Sequence, residues 1–394
     1  MTTKKRKGSG KKRKLSPILF LFILPITLVC AVLLGVYAYL PKSSIGLPRL
    51  AYEEIYTTTN DLHEGIRDID YAIYESLYQC GIEEKDIFFS SVQPRHENGK
   101  FWDFTELLIK SPDAASALHL EKTISQDLNE LGAKIRLNNA RTPDGGIVCH
   151  IFADDFYTHK IDITFDTHRP TVEDTKPRLA IIIDDLGYDS KMASSFIELD
   201  LPLSFSVLPS APFTKRIVRR ANKEKCELIL HLPMEPKNFP SVDPGPGALF
   251  LSMNEDEIRQ ILDQDLNEVM GVQGVNNHMG SSFTEDQNRM LIILEDLKKR
   301  GLFFVDSRTT AGSVGFGLAK KIGLPTATRS VFLDNDLSHK AIRIQIERLL
   351  SIARKSGTAI GIGHPHNETL EVLVEYCSKI KTEFRVVPVS ELVS

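Results

Sequence analysis

The stretch Leu179-Ala180-Ile181-Ile182-Ile183-Asp184-Asp185-Leu186-Gly187 decides how the second half of this chain folds. A continuous run of apolar, largely β-branched residues predicts a strand buried on both faces, as in the parallel sheets of α/β proteins. Such a strand can carry polar residues only at its ends, and ligands bind where parallel strands end. Asp184 and Asp185 stand at that end, where adjacent carboxylates repel unless a cation or a proton compensates them. Capping of the next helix is the alternative explanation.

Strands and helices alternate from this stretch to the C-terminus. The predicted strands are 179–183, 203–207, 227–231, 273–277, 302–306, 331–333, 358–363 and 384–387. The predicted helices between them are 190–199, 214–223, 255–270, 285–300, 315–322, 340–355 and 368–378. This alternation predicts parallel strands joined by helical crossovers, in a distorted (β/α) barrel or in an open doubly wound sheet. No Gly-rich phosphate loop follows a predicted strand, so a nucleotide site has no support.

Several of the predicted strands end in histidine or aspartate. His231, His278 and His364 stand at three of these ends, and Asp306 and Asp334 stand at two others. Because the C-terminal ends of parallel strands meet at one rim, we expect these side chains to lie together. Aspartate and histidine ligands suit Zn²⁺ or a similar first-row metal, and a catalytic zinc has three protein ligands. The sequence therefore predicts a metal site at this rim.

The N-terminus combines a basic cluster with a long apolar run. The net charge of −4 hides eight Lys and Arg residues within the first fourteen, ahead of the uncharged run 18–40. At about 1.5 Å per residue this run can cross a hydrocarbon core of about 30 Å. Basic residues before it predict a cytoplasmic segment 1–17 and an uncleaved transmembrane anchor 18–40, with the rest of the chain extracytoplasmic. A cleaved signal peptide and a nucleic-acid-binding arm are the alternatives, and we expect no nucleic-acid partner.

Residues 51–167 predict a small α+β module ahead of the main domain. Apolar residues at helical spacing predict helices within 51–80 and at 114–131, and strands are predicted at 101–109, 146–152 and 160–165. The module contains no catalytic constellation, so we interpret it as a packing module or as a contact for a protein partner in the envelope. A polar, proline-bounded linker at 168–177 separates it from the domain 178–394. The scattered cysteines select no disulfide pairing.

Seven motifs in the domain 178–394 resemble those of the divergent polysaccharide deacetylase family, in particular its YibQ-like branch. In chain order they are IIIDDLG at 181–187, LSFSVLP at 203–209, LILHLPMEP at 228–236, GVNNHMGS at 274–281, FFVDSRT at 303–309, FLDN at 332–335 and IGIGHPH at 360–366. The resemblance implies the distorted (β/α) barrel of the polysaccharide deacetylases. It also implies a divalent metal cofactor, most simply Zn²⁺.

The resemblance also implies roles for the residues at the strand ends. Asp184 matches the catalytic base of the larger deacetylase group, and Asp185 and His231 match two of its metal ligands. That group has a second histidine four residues after the first, where this chain has Glu235. We expect His278 to replace the missing histidine as the third ligand, with Glu235 as the competing candidate.

A late histidine acts as the general acid in the larger group, and His364 occupies the matching position. Imidazole titrates near neutral pH, which suits proton donation to a leaving amine. We further expect Arg308 to orient Asp184 or Asp306 through a bidentate contact. Alternatively, the sequence suggests that Asp306 adjusts the acidity of His364.

These observations favour a membrane-anchored, extracytoplasmic, metal-dependent carbohydrate deacetylase. Such an enzyme is a hydrolase of carbon–nitrogen bonds other than peptide bonds, and its implied substrate is an acetylated polysaccharide or peptidoglycan-type glycan of the cell envelope. The alternative is a catalytically inactive relative that binds glycan or a protein partner. The presence of Glu235 in place of the second histidine favours that alternative. The joint presence of Asp184, Asp185, His278 and His364 favours the enzyme.

Overall fold

The computed structural model describes residues 61–83, 86–98, 100–143, 145–165 and 176–394. The predicted cytoplasmic segment 1–17 and membrane anchor 18–40 lie outside these residues, as does most of the predicted linker 168–177. In the part of the chain that is described, none of the helices combines the length and apolar character needed to cross a membrane.

The N-terminal module packs two helices with a five-stranded mixed sheet. Its helices are α1, Asp61–Gln79, and α2, Ala114–Glu130. Its strands are β1, Ile87–Glu97; β2, Lys100–Lys110; β3, Ile135–Arg141; β4, Ile147–Ala153; and β5, Phe156–Thr164. The order across the sheet is β1-β2-β5-β4-β3, with only β2 and β5 parallel among neighbours. Alternate residues of β4 are buried, as expected for a sheet with one face on a core.

The second sheet of the described residues contains nine strands, all parallel to their neighbours. They are β6, Arg178–Leu186; β7, Ser204–Val207; β8, Glu227–Met234; β9, Gly274–Met279; β10, Phe303–Asp306; β11, Thr326–Thr328; β12, Val331–Phe332; β13, Thr358–Gly363; and β14, Arg385–Val386. The order is β11-β10-β9-β8-β7-β6-β13-β12, and β14 also pairs with β6. Only Arg329 and Ser330 separate the two edge strands β11 and β12. The sheet therefore curls round as a parallel half-barrel.

Helices connect these strands. They are α3, Ser190–Ile197; α4, Thr214–Lys223; α5, Glu255–Glu268; α6, Gln287–Arg300; α7, Gly315–Ile322; α8, His339–Ser356; and α9, Asn367–Glu383. Several of these helices begin or end at residues that are expected to cap a helix. Asn254 and Glu257 form a capping box at the start of α5. Gly301 ends α6 and Gly357 ends α8, each in the left-handed conformation that glycine adopts without steric strain.

The predicted parallel α/β architecture is confirmed in this half-barrel form. Strand β6 is buried at every position after Arg178, as the unbroken apolar run predicts. Each of the eight predicted strands overlaps an observed one, and β11 is the strand that the prediction missed. Its three residues Thr326-Ala327-Thr328 are too few and too polar to form an apolar run. The described cysteines Cys80, Cys149, Cys226 and Cys377 are free thiols.

Helix α8 joins the module to the half-barrel. The backbone N–H of Phe89 in β1 donates to the Ser351 hydroxyl at 2.9 Å. The guanidinium of Arg348, which is buried, donates to the Thr105 hydroxyl of β2. Helix α8 also packs against β13, the strand that precedes His364. The module therefore contacts the helix that supports one of the predicted catalytic residues.

Candidate active site

A β-bulge brings both aspartates of the opening stretch to one site. Strand β6 has one more residue than β7 between Ile183 and Leu186, and Asp185 adopts a left-handed φ of 55°. Consecutive residues of a regular strand point to opposite faces, whereas a bulge re-aims one of them. The Nε2 atom of His231 accordingly lies 3.8 Å from Asp184 Oδ2 and 2.9 Å from Asp185 Oδ1.

Asp185, His231 and His278 converge at the end of the sheet. The Nδ1 atom of His278 lies 2.9 Å from Asp185 Oδ1 and 3.2 Å from His231 Nε2. All three residues are buried, and together they are a group that could hold a metal ion. The structure thus brings together the three residues that the sequence predicts as ligands.

The tautomer of His231 follows from its neighbour Asn276. The Asn276 amide nitrogen lies 2.9 and 3.0 Å from the two Asp184 oxygens, and a carboxylate can only accept. The Asn276 oxygen therefore faces His231 Nδ1, at 2.9 Å, and receives its proton. In neutral His231 the lone pair then lies on Nε2, the nitrogen that faces Asp185.

The donor set fits a metal ion. Both oxygens of Asp185 are buried, yet they accept no hydrogen bond from any residue that the structure describes. The two imidazole nitrogens 2.9 Å from Oδ1 therefore approach outside hydrogen-bonding geometry. Separations of 2.9 to 3.2 Å are close to the roughly 3.3 Å between ligand atoms of a tetrahedral site with bonds of about 2.0 Å. A cation shared by these atoms would remove the repulsion between their lone pairs.

The electrostatics of the cluster favour an ionised ligand. Burial raises the pKa of Asp185, but the charge of His278 and the neighbouring His231 together outweigh burial and hold this pKa well below its usual range. Burial lowers the pKa of His231, whereas the charge of Asp184 and the contact with Asp185 raise it, and the net direction is upward. The aspartates thus attract positive charge to this position, and a metal ion would displace a proton from His231.

His364 and Asp334 form a second buried pair beside this cluster. Strand β13 pairs with β6 up to Gly363 and Ile183, so His364 and Asp184 are the next residues of neighbouring strands. The Nδ1 atom of His364 lies 2.8 Å from Asp334 Oδ1, and its backbone N–H donates to Oδ2 at 2.6 Å. Burial raises the pKa of Asp334, but the charge of His364 and the hydrogen bonds from His364 and Thr369 together outweigh burial, so the net direction is downward. Asp334 is therefore an ionised partner that orients the imidazole.

The structure does not support the competing ligand candidate, Glu235, or the expected contacts of Arg308 with Asp184 and of Asp306 with His364. Glu235 is outside the cluster, because its carboxylate accepts the backbone N–H of Leu251 at 2.7 Å. Asp184 is held by the Asn276 amide and not by Arg308. Among the described residues, Asp306 pairs with no histidine. It accepts hydrogen bonds from loop residues, namely the backbone N–H groups of Arg308 and Phe316 and the Ser313 hydroxyl, and so orders the loop after β10.

The sequence assigned no role to Asn276, and it placed Asp334 at the rim without a partner, although both stand in the quoted motifs. Asn276 is in β9, two residues before His278, and so shares its face of the strand. That spacing is a signal that could have identified Asn276. Asp334 follows the two-residue strand β12 beside β13. Pairing it with His364 requires the strand order, which the sequence alone does not contain.

Known proteins resemble the half-barrel domain in sequence and in fold. The sequence model of a family described as divergent polysaccharide deacetylase matches residues 181–393. The uncharacterized protein YibQ of Escherichia coli K12 is 32% identical over 217 residues, which cover 55% of this chain and 67% of that protein. An uncharacterized protein of Haemophilus influenzae is 31% identical over 215 residues, covering 55% and 76%. The crystal structure of an uncharacterized protein of Agrobacterium tumefaciens C58 has a TM-score of 0.54 and 27% identity, covering 57% of this chain and 92% of that one.

Proposed function

Because the chain belongs to the divergent polysaccharide deacetylase family, we propose that it is a metal-dependent deacetylase of acetylated cell-envelope glycans. The observation that carries the proposal is the buried Asp185 carboxylate, which faces His231 and His278 without a hydrogen bond. A buried charge without hydrogen-bond partners is costly, and once a cation has displaced their protons, His231 and His278 offer lone pairs beside it. A divalent cation, with zinc as the proposed metal, satisfies all three groups.

Asp185, His231 and His278 would hold this metal. When bound, it would supply Lewis-acid polarisation of an acyl oxygen and would make water nucleophilic near neutral pH. The ring of His231 is already oriented for this role, because Ser206 and His231 Nδ1 both contact the Asn276 oxygen, at 2.6 and 2.9 Å. Such outer partners fix the tautomer of a metal-binding histidine.

Asp184 is the proposed general base. Its two oxygens are held by one amide, that of Asn276, which also lies 3.3 Å from the Ser307 hydroxyl. This contact fixes the carboxylate and leaves it further lone pairs, because a carboxylate offers about four acceptor positions. In the reaction Asp184 accepts a proton from the attacking water, whose oxygen forms the new bond to the acetyl carbon.

His364 is the proposed general acid. Its Nδ1 is held by Asp334, and Asp334 also accepts the Thr369 hydroxyl at 2.6 Å. The negative charge of Asp334 favours the protonated imidazole, and Nε2 on the opposite edge of the ring donates to the amide nitrogen. The carbon–nitrogen bond then breaks, releasing acetate and an amino sugar. Proton donation by a positioned acid accelerates a reaction by roughly 10² to 10⁴.

The proposed location is the outer side of a membrane, with residues 18–40 as the anchor. This placement rests on the eight basic residues before an uncharged apolar run. It would expose the domain 178–394 to peptidoglycan-type glycan, and it leaves residues 51–167 available to a protein partner.

Acetate release tests the function. The full-length protein, loaded with zinc, is incubated with N-acetylated chitooligosaccharides and with peptidoglycan fragments, and acetate is measured. The matched control is Asp184→Asn, which removes the proposed proton acceptor and leaves the three proposed ligands. We expect release by the wild type and none by the control. Saturable glycan binding with no acetate above the control would contradict the enzyme and favour a glycan-binding protein.

A further inference from the structure

A cavity of about 640 Å³ lies beside the C-terminal turn of α5, apart from the cluster described above. Its volume is within the range of small-ligand sites, roughly 300 to 1,000 Å³. The loop after β8 forms one wall, and its Leu249 donates to the carbonyl of Pro233, two residues beyond His231 in the strand. The cavity is therefore lined by the loop that follows the strand carrying His231.

Asp265 is the unusual residue of this cavity. Its side chain is 3% exposed, and its Oδ2 atom is buried without a hydrogen bond from any of the described residues. Gly247 lies directly against it, with a φ of 79°, and a Cβ atom there would be only 2.6 Å from Asp265 Oδ1. The loop thus approaches the carboxyl group closely without donating a hydrogen bond to its Oδ2 atom. A buried carboxyl group without a partner is destabilising, so a ligand is a physical reason for its presence.

The charge of the cavity indicates a cationic ligand. Glu268, one helical turn from Asp265, also lines it and accepts the backbone N–H and hydroxyl of Ser210, at 2.6 and 3.1 Å. The C-terminal end of α5 adds the negative end of the helix dipole, and the helix has no basic residue in its last turn. Among the described residues that line the cavity, none is Lys, Arg or His.

The apolar residues of the remaining wall indicate what kind of molecule bears the cationic group. Phe250, Met253 and Ile261 line it, and the Phe250 ring packs against that of Phe239, with centroids 4.8 Å apart. Aromatic faces attract cations and pack well against apolar surfaces. The C–H face of a pyranose ring is such a surface, and an amino sugar also carries an ammonium group.

We propose that this cavity binds the ammonium group of a de-N-acetylated hexosamine residue, held by Asp265 and Glu268 with its ring against Phe250. The choice of an amino sugar rests on the proposed deacetylase function, whose product carries this group. The enzyme would then hold a residue that is already deacetylated while its metal site acts on another residue of the same glycan.

Calorimetric binding to the full-length protein tests this inference without any turnover. The probes are the trimer of glucosamine and the trimer of N-acetylglucosamine. Asp265→Asn keeps the shape of the side chain and removes a carboxyl group that can ionise against a bound ammonium group, and we expect it to weaken binding of the glucosamine trimer by roughly 10- to 100-fold. Binding of the acetylated trimer should not change. Asp263→Asn on the same helix is the control, because Asp263 is exposed and does not line the cavity.

A second variant covers the case in which Asp265→Asn perturbs the fold. Gln264 lines the cavity on the exposed side of α5, so Gln264→Lys should fold and should place an ammonium group at the cavity itself. We expect it to compete with the glucosamine trimer. Unchanged binding of that trimer by both variants, or an equal loss for both trimers, would overturn the inference. Tighter binding of lysine amide than of the glucosamine trimer would overturn the sugar assignment in favour of a peptide amine.

The outcome is separable from that of the deacetylase assay. Acetate release by wild type, with glucosamine binding insensitive to Asp265, would overturn this inference and leave the proposed function standing. Charge-dependent glucosamine binding in a protein that releases no acetate would support the site and contradict only the catalysis.

Discussion

The amide nitrogen of Asn276 lies 2.9 and 3.0 Å from the two carboxylate oxygens of Asp184. The oxygen of the same amide lies 2.9 Å from His231 Nδ1. One side chain therefore orients both the proposed base and one proposed metal ligand. Loss of Asn276 should affect metal affinity and turnover together.

The first prediction is that Asn276→Ala lowers zinc affinity by roughly 10- to 100-fold, the usual effect of losing an outer partner of a metal ligand. The turnover of zinc-saturated protein should also fall, because Asp184 is no longer held. Zinc titration and acetate release at saturating zinc separate the two effects. Retention of wild-type values in both measurements would contradict the role that we assign to Asn276.

The second prediction concerns Asp334 and His364. Asp334→Asn should lower kcat by up to the roughly 10² to 10⁴ that a general acid contributes, with zinc content unchanged. Because the charge of Asp334 favours protonated imidazole, the alkaline limb of the pH–rate profile should move to lower pH. The comparison is Asp306→Asn, which removes a carboxylate that orders a loop. If both variants gave the same pH profile as wild type, His364 would not be the acid that Asp334 orients.

The contrast between Asp334 and Asp306 shows how far the sequence could predict this site. Apolar runs ending in Asp or His predicted β6, β8, β9 and the convergence of Asp185, His231 and His278. Those predictions succeed because strands buried on both faces can carry polar residues only at their ends. Which acid contacts which histidine depends on strand order, and β12 is adjacent to β13 whereas β10 lies at the other side of the sheet.

Two further features were beyond sequence reasoning. The bulge that turns both Asp184 and Asp185 toward His231 depends on the register of β6 against β7. In an unbroken strand one of the two aspartates would face away. The burial of Asp265 could not be predicted either, because an aspartate in the polar helix α5 is expected to be exposed.

The third prediction is that Asp265 makes stability fall as the pH rises. Burial, with a contribution from Glu268, raises the pKa of Asp265 to about 8. Between about pH 4 and pH 8 the ligand-free folded protein keeps this proton and the unfolded chain has lost it, so the free energy of unfolding decreases as pH rises. Asp265→Asn removes this dependence and should be more stable than wild type at pH 8, by an amount on the order of a few kcal/mol. The difference should be smallest near pH 4.

Chemical denaturation at pH 5 and pH 8 measures the effect of Asp265→Asn. The exposed Asp263→Asn serves as the control, because its stability relative to wild type should vary little between the two pH values. A larger stabilisation of Asp265→Asn at pH 5 than at pH 8 would reverse the predicted sign and contradict a buried protonated carboxyl group.

The fourth prediction concerns topology. A reporter fused after Ser394 should behave as extracytoplasmic, and the full-length protein should stay with the membrane on carbonate extraction, because the basic segment precedes the apolar run 18–40. Replacing the eight basic residues of the first fourteen with Asn or Gln should weaken the orientation. A cytoplasmic reporter in the unmodified protein would contradict both the anchor orientation and the proposed envelope substrate.

The decisive measurement is the metal stoichiometry of the purified full-length protein after equilibrium dialysis against zinc. We expect one zinc per chain in wild type, in Asp184→Asn and in Glu235→Gln, and loss of most of it in His231→Ala and His278→Ala. Two protein ligands would then remain where a zinc site needs three or four. Wild-type protein that takes up no metal, or His278→Ala that keeps full stoichiometry while Glu235→Gln loses it, would contradict the site that Asp185, His231 and His278 form.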